Sequence, residues 1–228
     1  MSLPVTEGAH YVGENTCKAC HPTQHKYFHL SEHTNVTLSV ENRDPDMHGT
    51  ESCETCHGPG SRHVASGGKK SEIILTDEET CFACLLDVKA KNHLQFHHPV
   101  IEGEMNCTMC HSMHGDDVDG TGKPGLDSSD DTCLKCHKAQ KGPFVFEHEA
   151  LRDGCTTCHS PHGSINVRLL VAGPTNLCMS CHFEPDLNNT GGLGGSNHSG
   201  RAIGVNTTCL DCHTEVHGSN HTSTSLRY

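Results

Sequence analysis

Sixteen cysteines stand in this chain of 228 residues, and every one belongs to a Cys-x-x-Cys pair: Cys17/Cys20, Cys53/Cys56, Cys81/Cys84, Cys107/Cys110, Cys133/Cys136, Cys155/Cys158, Cys178/Cys181 and Cys209/Cys212. Three chemistries compete for such pairs: disulfides, zinc knuckles, and covalent haem attachment through CxxCH. The next residue separates them. It is histidine after seven of the eight pairs, as His21, His57, His111, His137, His159, His182 and His213, whereas disulfides and zinc knuckles place no demand on that position. Two thiols three positions apart each add to one vinyl group of the same porphyrin, and the following residue then lies beneath the ring, where its imidazole reaches the iron. The predicted cofactor is haem c, at seven CxxCH sites and at an eighth site, Cys81/Cys84, whose proximal ligand is unusual or missing.

The remaining histidines fall in step with the pairs. The chain reads as four two-haem modules, about 11–66, 72–116, 128–164 and 174–222, each with a histidine before its second pair and another shortly after it. Phe96-His97-His98 with His114-Gly115 recurs as Phe146-Glu147-His148 with His162-Gly163, and the fourth module keeps His198 and His217. The first module offers His33 or His48 before its second pair and His63 after it. These give the distal candidates His33, His48, His63, His98, His114, His148, His162, His198 and His217. His111 binds from below its own ring, so His114 is poorly placed to swing to the opposite face and is expected to serve a neighbouring haem. His29 and His33, four apart, could share a helical turn that presents either as a ligand.

One pair departs from the pattern. Cys81-Phe82-Ala83-Cys84 is followed by Leu85. Three readings follow: another axial group such as Lys89, His93 or His97; an attached haem open on one side; or an empty dithiol or disulfide site. An open iron is the one place where an enzyme could hide, yet Leu85 supplies no general acid. The expectation is ligand loss without catalysis.

The elements that hold these residues are modest. Apolar residues make up 33% of the chain, with no Trp, three Tyr and six Phe, against about 45–50% apolar in an ordinary soluble domain. Porphyrins must therefore supply the core, giving a haem-cored, elongated fold of mostly irregular coil with short α-helices and little or no β structure. Helical turns are expected within 22–33, 83–96 and 143–152. Gly-rich and polar stretches, Ser66 to Lys70, Asp116 to Asp131 and Gly191 to Gly195, separate the modules as loops; the acidic run at Asp116 lacks the closing Glu of a calcium loop. A net charge of -12 argues against nucleic acid. No apolar run approaches the ~18 residues of a membrane helix.

Haem attachment through thiols implies a secretory route, and the periplasm or the outer membrane is the expected location. Met1-Ser2-Leu3-Pro4 lacks the basic start and apolar region of a signal peptide, so a mature or recloned chain is expected.

Cys53-x-x-Cys56-His57-Gly58-Pro59-Gly60-Ser61-x-His63-Val64, His97-His98-Pro99-Val100-x-Glu102-Gly103 leading into Cys107, and Cys-His-Ser-Pro-His-Gly ending at Gly163 resemble the MtrA/DmsE-type periplasmic multihaem cytochromes, from about Tyr11 to His221. The resemblance implies bis-His haems in a nearly linear row, here a shorter octahaem member. It also implies service beside an outer-membrane porin, an outer-surface cytochrome and other redox proteins. Phe28-x-x-x-x-His33 matches that family's first distal ligand and favours His33 over His48. The expected function is electron conduction with no catalytic residue. The competing readings are a reductase with an open haem at Cys81/Cys84, and a homo-oligomeric, filament-forming extracellular cytochrome.

Overall fold

The computed structural model describes residues 4–29, 31–35, 53–114, 130–182 and 208–221. Its helices are short: α1 (Glu14–Cys20), α2 (Pro22–Phe28), α3 (Glu54–His57), α4 (Ser61–Ala65), α5 (Glu78–Phe82), α6 (Leu86–Asn92), α7 (Asp130–Leu134) and α8 (Pro174–Met179). Between them run single 3-10 turns and coil, and the β-type pairing among the described residues consists of isolated bridges. Local chemistry sets the helix starts. Pro22 and Pro174 occupy the first turns of α2 and α8, where a missing N–H costs nothing. Asp77 caps α5 in a reciprocal pair with Thr80. The predicted turns form within 22–33, 83–96 and 143–152, the last as the 3-10 segment Glu149–Asp153.

Two units share the chain, one built from Met1–Lys89 with Pro99–Ser128, the other from Ala90–His98 with Ser129–Tyr228. Neither has a conventional core. Phe82 (2% exposed) and Leu170 (7%) are the buried hydrophobic side chains among the described residues, far too little apolar burial to offset the entropy of ordering such a chain.

In the second unit the recurrent sequence motifs meet in space. Phe96 and Ser164 exchange both backbone hydrogen bonds (3.0 and 2.8 Å), and Phe146 and Ser219 do the same (2.9 Å each). Each Phe-x-His segment is thereby zipped to a His-Gly-Ser segment far along the chain. The glycine is required by crowding: a Cβ on Gly163 would sit 1.9 Å from the Lys91 carbonyl oxygen, and one on Gly218 would lie 2.4 Å from the Phe144 ring.

In the first unit the corresponding tie is a buried side chain. Glu54, 1% exposed, accepts hydrogen bonds from the backbone N–H of Val12 (3.1 Å), Gly13 (2.9 Å) and Gly60 (2.7 Å). It fastens the start of α1 to the loop after the second cysteine pair.

Candidate haem-attachment sites

All eight attachment segments share one backbone turn. The N–H of the residue after each pair donates to the carbonyl of the first cysteine at 2.8 to 3.0 Å, from His21 to Cys17 through His213 to Cys209. The turn sets positions i, i+3 and i+4 on one face. Both thiols and the histidine thus address the same side of the chain.

Within a pair the two thiols are not equivalent, although sequence reading treats them alike. The first cysteine of each pair is partly buried, whereas Cys20, Cys84, Cys110, Cys136, Cys181 and Cys212, all second cysteines, are exposed; Cys56 and Cys158 are the second cysteines that the chain partly covers. Cys136 and Cys212 show what fixes such an exposed thiol. Their backbone N–H groups donate to the carbonyls of Cys133 (3.2 Å) and Cys209 (3.3 Å), so the local turn aims each side chain, and their assignment as attachment points rests on that turn and the motif, not on packing around the sulfur.

Opposite five of the motif histidines stands another imidazole. Ring centroids are 6.1 Å apart for His21 and His63, 5.9 Å for His57 and His114, 6.2 Å for His98 and His137, 5.9 Å for His148 and His182, and 6.0 Å for His159 and His217. An imidazole nitrogen binds a first-row metal at about 2.0–2.1 Å, so two imidazoles on opposite sides of one ion place their centroids about 6.3 Å apart. The observed gaps are therefore too wide for ring contact and match the thickness of one intervening iron. Four of the pairs lie within 15 to 21° of parallel, and His98 with His137 is turned by 65°.

The other ring nitrogen is already committed in several of them. Nδ1 of His57 donates to the Ile74 carbonyl (3.0 Å), His63 to Lys69 (2.9 Å), His98 to Pro161 (2.8 Å), His148 to Val216 (3.0 Å) and His159 to Arg168 (2.8 Å). A carbonyl only accepts, so Nδ1 carries the proton and Nε2 keeps its lone pair. Metal-bound histidines show this second interaction as a rule. Burial, reinforced by His159 and other positive neighbours, holds His217 below its ordinary value and so in the neutral, metal-binding form. Burial, then the charge of His33, does the same for His111, which places His33 near the fourth attachment site.

The thiols connect one site to the next. The Cys53 thiol, hydrogen-bonded to Cys17, and burial push Cys17 up. Burial and then Cys84 raise Cys56, and burial and then Cys107 push Cys81 up to about 12. The first unit thus links its four sites in chain order. In the second unit, burial raises Cys155, with Asp130 and then Cys133 adding to it; burial and Cys181 raise Cys158; burial and Cys209 push Cys178 up to about 11. These too are in chain order.

Other candidates take different places. His29 and His33 do not share a helical turn, because the Ser31 and Thr34 hydroxyls donate to the Phe28 carbonyl (2.7 and 3.0 Å) and end α2 there. His29 instead joins His25 (Nε2 to Nε2, 3.1 Å) beside the Glu14 carboxylate, at 3.4 and 3.8 Å from the two rings. His97 directs Nδ1 to the Leu94 carbonyl at 2.6 Å. His162 and His213 are among the described residues; His48, His198 and most of the acidic loop at Asp116 lie outside them.

The comparisons agree with this chemistry. The family described as "Doubled CXXCH motif" matches residues 97–142 and 148–186. Multiheme cytochrome MtrA of Shewanella baltica (strain OS185) is 32% identical over 218 residues, which is 93% of this chain. Over most of its length the chain is thus similar to an MtrA-type multihaem cytochrome. It spans 59% of the length of that relative. Its short helices and coil, and its paired CxxCH motifs, are what a fold cored by haem c requires. Glu54 is the functional neighbour that sequence reading missed: a lone Glu between two cysteines carries no signal of the three N–H groups it gathers from elsewhere.

Proposed function

We propose that the eight cysteine pairs each hold a haem c and that this cytochrome conducts electrons along them in chain order within each unit, as part of a route from the periplasm across the outer membrane to an acceptor outside. The observation that carries the proposal is the recurrence of imidazole pairs 5.9 to 6.2 Å apart over the attachment turns.

Haem c, when bound, supplies a reversible one-electron iron couple. What the chain contributes is position. Cys17, Cys53, Cys107, Cys133, Cys155, Cys178 and Cys209 hold one edge of a cofactor together with the second cysteines Cys20, Cys56, Cys110, Cys136, Cys158, Cys181 and Cys212, and the histidine of each motif holds one face. His63, His114, His98, His217 and His148 cap the opposite faces at His21, His57, His137, His159 and His182 respectively. Capping by two protein ligands excludes water and substrates from the iron, and in each pair one imidazole is held against a backbone carbonyl, so little rearranges when the charge changes.

Cross-pairing is also the structural glue. His63, His114 and His217 each follow one CxxCH site in sequence and face the proximal histidine of an earlier one. In the four-module reading, His63 completes a site within its own module, while His114 and His217 each complete one in the module before. Order along the row therefore comes from the ligands themselves, and the chain without haem is expected to be largely unfolded, as in other systems where metal-ligand bonds supply the folding energy.

A reconstituted vesicle tests the conduit. The holoprotein is inserted in an outer-membrane porin with a reduced dye enclosed and a ferric chelate outside. External ferric reduction dependent on this chain supports the reading. Flux equal to that of the porin alone refutes it.

A further inference from the structure

We infer that the iron held at Cys81 and Cys84 is open on its Leu85 side and binds a small neutral ligand, a diatomic of the carbon monoxide or nitric oxide class. The inference rests on the reading of the cysteine pairs as haem sites.

The attachment turn at this site is intact. Leu85 N–H donates to the Cys81 carbonyl at 3.0 Å and Cys84 N–H to the same carbonyl at 3.2 Å, matching the His-bearing sites, for example 3.0 and 3.3 Å at Cys53. Only the side chain differs. Leu85 stands where the seven proximal imidazoles stand, and it has no lone pair.

The amine one helical turn on does not replace it. Lys89, one turn on, is the nearest amine in sequence, and its backbone N–H bonds to the Leu85 carbonyl at 2.9 Å. Its Nζ is held by the Glu79 carboxylate at 2.8 Å and lies 5.6 Å from the centre of the Phe82 ring. A lysine so engaged is held by Glu79 and Phe82 and leaves the Leu85 position without a donor of its own. Leu85 is 42% exposed and Phe82 is buried, so the open side is apolar yet reachable from solvent. An apolar surface whose nearest cation in sequence is already paired with a carboxylate selects a neutral ligand over an anion.

The opposite face follows from the register of the pairs. His98 precedes the second pair of its module and faces His137 at the first site of the next; His148 faces His182 by the same rule. In the first module the sequence offers His33 or His48 at that position, and the next first site is Cys81/Cys84. One imidazole from that register position and none from position 85 leaves five-coordinate iron. The site stays in the row as a stop where a small molecule can attach.

Carbon monoxide is the probe. The holoprotein, confirmed by mass to carry eight haems, is reduced and titrated with the gas, with uptake read from the Soret difference spectrum. About one equivalent per chain is expected, lost in Leu85→His with eight haems retained and lost again in a Cys81→Ala/Cys84→Ala variant with seven. Zero uptake with eight haems overturns the inference and leaves the row standing, as does uptake that survives in Leu85→His. A wild-type mass of seven haems also overturns it. Zero uptake that becomes one equivalent in His93→Ala or His97→Ala shows that ring on the iron and overturns it too. Uptake of several equivalents refutes the imidazole pairs themselves.

Discussion

Replacing His114 by alanine is expected to raise high-spin iron by one equivalent per chain, and the iron affected is the one at Cys53/Cys56. The sequence neighbour of His114 is His111, three positions back, but its ring faces His57 at 5.9 Å, nearly parallel. Removing it takes away one of two strong-field nitrogens at that iron and puts water or nothing in its place. Low-temperature EPR of the oxidised holoprotein reads the gain. A second change assigns it: the new signal disappears when Cys53 and Cys56 are also replaced, and persists when Cys107 and Cys110 are. The reverse pattern would mean that His114 serves its own module and that the cross-pairing is wrong.

The second large effect is expected at Glu54. Its carboxylate is the common acceptor for Val12, Gly13 and Gly60 N–H groups, and it is almost wholly buried. Glu54→Ala leaves those donors without an acceptor at about 1–3 kcal/mol apiece, so a loss of roughly 3 kcal/mol or more is expected in denaturant unfolding of the holoprotein. Glu54→Gln keeps one carbonyl oxygen and should fall between. The damage is local, because the three donors all belong to the joint between α1 and the second attachment site. His21 and His63, whose elements meet there, should lose their low-spin signature before the sites of the second unit do. A Glu54→Ala protein as stable as the parent would show that the joint is held by something else.

Attachment chemistry was legible in the sequence because it is contiguous: two thiols and one imidazole must lie within five residues. What the motif does not encode is how differently the two thiols are covered, with Cys136 and Cys212 exposed beside the partly buried Cys133 and Cys209. The low apolar content announced a core made of something other than side chains, and the buried Phe82 and Leu170 agree with that. Pairing between sites was legible only as a repeat. That His114 goes to His57 and His217 to His159 depends on contacts across long stretches of chain, beyond the reach of a local motif. The repeated His-Gly was visible, but its cause, the Lys91 carbonyl against Gly163 and the Phe144 ring against Gly218, is a matter of packing. Local pattern misled at His29, where a helical turn was expected to continue. Two hydroxyls on the Phe28 carbonyl ended it and left His29 with His25 and Glu14. Glu54 was illegible because nothing near it in sequence names its partners.

Low-temperature EPR of the oxidised holoprotein, integrated against total iron, tests the central claim most directly. Imidazole pairs at five CxxCH sites, with the same capping extended to His111 and His213, predict seven low-spin irons per chain, with the remaining high-spin signal confined to a single equivalent that Leu85→His converts to low-spin. Several equivalents of high-spin iron in the unmodified protein would mean that the 6 Å imidazole pairs do not hold irons between them, and the conduit built on them would fall.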